Sequence, residues 1–168
     1  GPGIVESQIA RIFGKLLYGS KFHKLSQSRG QQGMGISAAG MYGQLTSGEP
    51  MRILSRVAEE ELASELLVSI DTKKNKPDIH RKKRVPWPRP HGTRVEVELE
   101  GHYHGGQHSI GRYLKQTALA NPHVSLHFQD PHGGQLCFKR STKKLPPRPV
   151  EIKPHPHGIE LGLLIQML

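Results

Sequence analysis

Apolar residues recur along the chain with two different periods, and the switch between them marks out the elements. Ile9, Ile12, Phe13, Leu16 and Leu17 keep the i, i+3, i+4, i+7, i+8 spacing of one helical face, which predicts an amphipathic helix over residues 5–18, ending near Gly19-Ser20. A second helix is predicted from Ile36 to about Leu45. Its Ala38, Ala39, Gly40 and Gly43 let a neighbour approach closely, and Ser47-Gly48-Glu49-Pro50 stops it. Strand-like runs follow at 51–57 and 66–70, with Glu59-Glu60-Glu61 between them as a solvated turn. The turn at 71–77, rich in lysine and asparagine, predicts a hairpin. Residues 80–84 are basic and extended, and Pro86, Pro88 and Pro90 exclude a central strand or helix after them.

The clearest alternation is at 93–100, where Val95, Val97 and Leu99 share a buried face and Glu96, Glu98 and Glu100 a wet one. A third helix is predicted on the stripe Ile110, Tyr113, Leu114, Thr117 and Ala118, with Ser109 as N-cap and Asn121-Pro122 as its stop. Val124, Leu126 and Phe128 then alternate in a strand that Asp130-Pro131-His132-Gly133-Gly134 turns into a last one at 136–140. Residues 143–157 carry five prolines and read as a linker; 158–168 starts a new apolar helix, which points to a further domain.

Composition narrows the partners. Lysine and arginine outnumber aspartate and glutamate 24 to 14, for a formal charge of +10 among 168 residues. That balance favours a phosphate-bearing partner, a nucleotide or a nucleic acid. The single cysteine, Cys137, excludes an internal disulfide and reads as packed or near a strand edge rather than as a nucleophile. No apolar run has the length of a membrane span and no signal peptide is present, so a soluble, cytoplasmic protein is expected. Gly1-Pro2-Gly3 is set apart as the remnant of a cleaved tag, and the chain is expected to be a piece of something larger.

The candidate chemistry sits ahead of the second helix. In Ser28-Arg29-Gly30-Gln31-Gln32-Gly33-Met34-Gly35-Ile36-Ser37, three glycines crowd into six residues. Glycine admits positive φ and close approach to a ligand, while the first N–H groups of a helix lack intrahelical partners and suit an anion. The stretch is neither a Walker A loop nor a Gly-x-Gly-x-x-Gly fingerprint. The polar, basic segment before it, from Lys21 through His23, Lys24 and Arg29, suits a lid over an anion, or equally a solvated loop. His102, His104 and His108, and the pair His155 and His157, have no cysteine or carboxylate at zinc-site spacing, so no metal site is assigned.

Four motifs in order resemble the ATPase (B) subunits of type IIB DNA topoisomerases, the topoisomerase VI group of archaea. They are Phe13-Gly14-Lys15-Leu16-Leu17-Tyr18-Gly19-Ser20-Lys21-Phe22, then Ser28-Arg29-Gly30-Gln31-Gln32-Gly33, then Arg89-Pro90-His91-Gly92-Thr93-Arg94-Val95-Glu96, and Glu151-Ile152-Lys153-Pro154-His155-Pro156-His157-Gly158-Ile159-Glu160-Leu161-Gly162. The resemblance implies an α/β chain built as an α+β two-layer sandwich, with a mixed, mainly antiparallel sheet and helices on one face: a partial Bergerat (GHKL) ATPase fold. The ATPase domain would cover 4–142, the linker 143–157, and a helix-two-turn-helix domain would start at 158–168.

The implied cofactor is ATP. Gly30, Gln31, Gln32, Gly33, Met34, Gly35, Ile36 and Ser37 would hold its phosphates, Ser20 and Lys21 would touch it from the lid, and Thr93 would lie near the adenine. Implied partners are the topoisomerase VI A subunit, the second B subunit of a homodimer formed on ATP binding, and double-stranded DNA, in a nucleoid-associated setting. In the family the box carrying the catalytic glutamate and the magnesium-binding asparagine precedes this segment, so no catalytic residue and no magnesium ligand is assigned here. Hydrolysis by this chain alone is therefore not expected. The alternative reading is a non-hydrolytic basic module for DNA or protein, resting on His80-Arg81-Lys82-Lys83-Arg84 and on Lys139, Arg140, Lys143 and Lys144.

Overall fold

A computed structural model describes residues 1–19, 30, 32–147, 149–150, 161–162 and 165. The predicted lid, residues 20–29, Gln31, and most of the segment beyond 150 lie outside the described residues. The chain divides into two compact units, Gly1–Glu100 with Pro149–Leu168, and Gly101–Arg148.

The first unit contains α1 (Glu6–Gly14), α2 (Gly35–Ser47), β1 (Met51–Arg56), β2 (Ala63–Asp71), β3 (Lys76–Val85) and β4 (Gly92–Glu96). Its four strands form one antiparallel sheet in the order β3-β2-β1-β4. The predicted α+β architecture is present, with both helices packed against the sheet. The alternation of β2 explains the layering. Leu66, Val68 and Ile70 turn toward the helices, and with Met51, Ile53, Ile9 and Phe13 they are buried. Burying each such side chain is worth about 1.5–3 kcal/mol, so this cluster is the main cohesion of the unit. The predicted hairpin at 71–77 joins β2 to β3, pairing Asp71 with Lys76.

Two elements are shorter than the hydrophobic pattern predicts. α1 stops at Gly14, not at Tyr18. Gly14 is pressed against Pro77 and Val68 with no room for a side chain, Leu17 adopts φ 57°, and its side chain is exposed. Asn75 fixes the exit: its Oδ1 accepts the Leu16 N–H at 2.8 Å and its Nδ2 donates to the Leu16 carbonyl at 3.2 Å. β4 stops at Glu96 rather than at residue 100 because its partner β1 begins at Met51, just after Pro50. Residues 97–100 instead run along α2. Ser47 Oγ donates to the Glu98 carbonyl at 3.1 Å, and the Glu100 N–H donates to Thr46 Oγ1 at 3.2 Å. Val97 still packs on the core, whereas Leu99 is exposed.

The second unit holds α3 (Ile110–Ala120) and the antiparallel hairpin of β5 (Leu126–Gln129) and β6 (Gln135–Phe138). Ser109 caps α3 as predicted, accepting the Arg112 N–H at 3.2 Å. The hairpin turn is closed by Asp130, whose Oδ1 accepts the N–H groups of His132 and Gly134. Of the predicted stripe, Leu114, Thr117 and Ala118 are half-buried, whereas Ile110 and Tyr113 are exposed and Gly111 takes a contact instead, close to Leu136 and Phe128. No described residue of this unit is fully buried. No helix among the described residues is long and apolar enough to cross a membrane.

Candidate functional site

The glycine-rich stretch leads into α2 as predicted, and Gly30, Gln32, Gly33, Met34 and Gly35 line a depression of about 340 Å³. Gly30 and Gly33 have φ 70° and 62°, the left-handed region that favours glycine. At Gly33 a second constraint acts, since a Cβ there would collide with the Tyr18 backbone. The two glycines thus give the loop a backbone course that other residues would resist. Met34 precedes α2 without a side-chain cap, and the first turn of the helix contains no carboxylate. Unpartnered N–H groups at a helix start carry partial positive charge and attract anions.

Ser37 has a different task. It is fully buried, and its Oγ lies 3.3 Å from the Ile12 carbonyl and 3.1 Å from that of Lys15, satisfying the open end of α1. Its contribution is to fix the first turn of α2 against the end of α1. Ile36, next to it, is exposed. The small residues of α2 divide as their positions dictate: Gly40 meets Met51 and Gly43 meets Val97 and the Glu98 carbonyl, whereas Ala38 and Ala39 are exposed.

Thr93 lies in another depression, of about 520 Å³, with Trp87, Arg89, His91, Gly92, Arg94 and Val95. Its hydroxyl is 2.9 Å from Ser55 Oγ, a buried group that also accepts the Ile4 N–H at 2.8 Å. His91 is shared with a further depression, about 750 Å³ and mainly apolar, lined by Gly3, Ile4, Val5, Ile12 and Val57 among others. Sequence reasoning gave His91 and Ser55 no part in a site, and nothing in local periodicity singles them out. Gly1–Gly3, set apart as a tag remnant, are seated in the fold: Gly3 packs on the Arg56 carbonyl, and the Gly1 oxygen is 2.7 Å from His91 Nδ1. Of the predicted site residues, Ser20, Lys21 and Gln31 lie outside the described residues.

The basic run 80–84 is largely neutralised where it stands. Strand alternation sends Lys82 and Arg84 toward α1, where Lys82 Nζ is 2.6 Å and Arg84 Nη1 3.6 Å from Glu6; Arg84 also holds Glu60 at 2.8 Å. Glu60 is therefore a clamp, not merely part of a solvated turn. Lys83 turns to the other face, 2.8 Å from Glu65 Oε2, in ion-pair range without hydrogen-bond alignment. Glu65 Oε1 accepts Arg52 Nε at 2.6 Å, and Arg52 continues to Glu96 at 2.9 Å, which also meets Arg94. Lys83, then Arg52, hold the Glu65 carboxyl below the usual range against the opposing effect of burial. Lys82 does the same for Glu6, and Glu65 foremost raises Arg52.

The donor set at Gly30–Gly35 suits phosphate oxygens and offers no carboxylate to a magnesium ion. Among the described residues no group of three or more histidine, cysteine, aspartate or glutamate side chains could hold a metal. His102 and His104 stack with ring centroids 6.4 Å apart; His155 and His157 lie outside the described residues.

Known proteins resemble this sequence along its whole length. The chain is 52% identical over 169 residues to the B subunit of type 2 DNA topoisomerase 6 from Methanococcoides burtonii, with all of the chain matched. Over its whole length it is thus similar to a segment of topoisomerase VI B-subunit sequences. The proteins of the same name from Archaeoglobus fulgidus and Natronomonas pharaonis are 48% and 49% identical, again across the whole chain. The chain spans only 27%, 28% and 21% of the length of these three relatives. No protein-family model matches it. The matched length includes the glycine-rich loop, both depressions, the hairpin unit and Gly1–Gly3.

Proposed function

We propose that this segment is the phosphate-binding part of the ATP site in the B subunit of a type IIB topoisomerase. The observation that carries the reading is the uncapped start of α2 facing a depression lined by Gly30, Gln32, Gly33, Met34 and Gly35. In it, backbone N–H groups of the loop and first turn take the phosphates. Thr93 and the apolar wall that meets it at His91 take the base, Gln31 belongs with the phosphate-holding loop, and Ser20 and Lys21 touch the nucleotide from the lid. Magnesium, when bound with the nucleotide, neutralises phosphate charge; this donor set has no ligand for it, so its ligands and the general base belong to residues outside this chain. The chain binds nucleotide without turning it over.

In the whole protein the same reading has ATP drive the pairing of two B subunits, while the partner A subunit passes double-stranded DNA, in a cytoplasmic, nucleoid-associated setting. The relatives' name, DNA topoisomerase, supports that assignment.

The test is thermal unfolding of the 168-residue chain with a non-hydrolysable ATP analogue. A ligand that binds only the folded state raises stability by about 2.7 kcal/mol at a hundredfold excess over Kd. An upward shift that Gly33→Ala abolishes is expected. No shift, with the chain folded, overturns the reading, and so does ATP turnover by the isolated chain.

A further inference from the structure

The positive charge of the chain is unevenly divided. Gly101–Arg148 contains seven lysines and arginines, six histidines and a single carboxylate, Asp130. That carboxylate is engaged in its own turn, accepting the His132 and Gly134 N–H groups at 2.9 and 2.7 Å. In the first unit, by contrast, Arg52, Lys82, Lys83 and Arg84 are each matched by a glutamate. Among the described residues, no lysine or arginine of the second unit forms an ion pair, and Arg112, Lys115, Lys139, Arg140, Lys143 and Lys144 are all exposed. Uncompensated cations at this density repel one another and favour a polyanion.

The geometry gathers five of them. Lys115 of α3 and Lys139, just after β6, stand on the walls of one groove of about 430 Å³. The chain beyond Lys139 is held against the end of α3. The Arg140 N–H donates to Ser125 Oγ at 3.2 Å, and those of Ser141 and Thr142 donate to the Pro122 carbonyl at 2.9 and 3.3 Å. Arg140, Lys143 and Lys144 thus continue from the rim of the groove along a tethered strap. Duplex DNA presents a negative charge every ~1.7 Å of its axis, so cations spaced along such a strap each find a phosphate.

We propose that the groove between Lys115 and Lys139, with the strap through Lys144, is a docking surface for the phosphate backbone of duplex DNA. Its place rests on charge and geometry alone, while the choice of DNA as the polyanion rests on the function proposed above. The groove has no exposed aromatic platform, Phe138 being half-buried, so phosphates and not unstacked bases are the fitting contact. The chain's one cysteine, Cys137, is exposed on the groove wall and reports on its occupancy.

The experiment is binding of a fluorescent duplex to the 168-residue chain at two salt concentrations. Five phosphate contacts imply about 500-fold weaker binding at about 200 mM than at about 50 mM salt. Combining Lys115→Gln, Lys139→Gln, Arg140→Gln, Lys143→Gln and Lys144→Gln is expected to weaken binding at low salt by at least about 100-fold and to flatten the salt slope. Lys73→Gln with Lys74→Gln and Lys76→Gln, at the β2-β3 turn, is the control and should change affinity only a few-fold. In the unsubstituted chain the duplex should also slow maleimide labelling of Cys137 at low salt. Failure to bind the duplex, equal loss in both variants, unchanged labelling, or equally tight binding of polyglutamate would each overturn the proposal. Cys137 protection without any nucleotide-induced thermal shift would leave this surface standing and remove the ATP reading alone.

Discussion

Ser37 Oγ donates to the Lys15 carbonyl across 3.1 Å, so the first turn of α2 is bolted to the end of α1 by a hydroxyl with no solvent exposure. Replacing it leaves the partly buried Ile12 and Lys15 carbonyl oxygens without this donor, which costs about 1–3 kcal/mol. Ser37→Ala should lower unfolding stability by that amount in a urea titration. It should also weaken nucleotide binding in the thermal assay, because the turn that carries the phosphate-facing amides loses its anchor.

Gly30 and Gly33 separate conformational strain from steric conflict. Both have positive φ, but a Cβ on Gly30 meets open space, whereas one on Gly33 meets the Tyr18 backbone. Left-handed backbone costs a non-glycine residue about 1–3 kcal/mol. Gly30→Ala should fall at the lower end of that range and Gly33→Ala at or above its upper end, measured by chemical denaturation of the two variants side by side.

A matching contrast exists on α2. A Cβ on Gly43 would lie 2.6 Å from the Glu98 carbonyl oxygen, which is backbone and cannot step aside, while one on Gly40 meets the flexible end of Met51. Overpacking a tight site costs about 1–3 kcal/mol. Gly43→Ala should be the more destabilising of the two and should loosen residues 97–100, seen as faster amide exchange at Glu100.

Acid should destabilise the first unit through two carboxylates. Glu65 and Glu6 both titrate below the usual range in the folded chain, because Lys83 and Lys82 stand beside them. Their contribution is fully present above the unfolded carboxylate value of about 4.3 and is lost as pH falls through the lowered folded values. Stability should hold down to about pH 5 and then decline. Glu65→Gln should start from a lower plateau and decline less steeply below it; an unchanged acid limb would count against this account.

Much of the fold was legible because it is written locally. The Asp71–Lys76 and Asp130–Gly134 turns, the Ser109 cap and the β1 and β2 runs each depend on residues close in sequence. What escaped depends on distant partners. Leu16 and Leu17 keep helical spacing, yet Asn75, some sixty residues on, takes the Leu16 backbone and ends α1 early. Leu99 alternates as a strand residue should, but β1 has no residue left to pair with it. The basic run 80–84 resembles an anion site until Glu6, Glu60 and Glu65 are seen against it. For the candidate site, the glycines announced the loop, whereas the occupation of Ser37 and the meeting of His91 with two depressions follow from packing that no local pattern encodes.

The contact of Gly33 with the Tyr18 backbone has one more consequence. Tyr18 and Gly33 are distant in sequence yet held against one another by the fold itself, so the entropy of bringing these two points together, which grows by only about 0.6 kcal/mol per doubling of their separation, is settled before any ligand arrives.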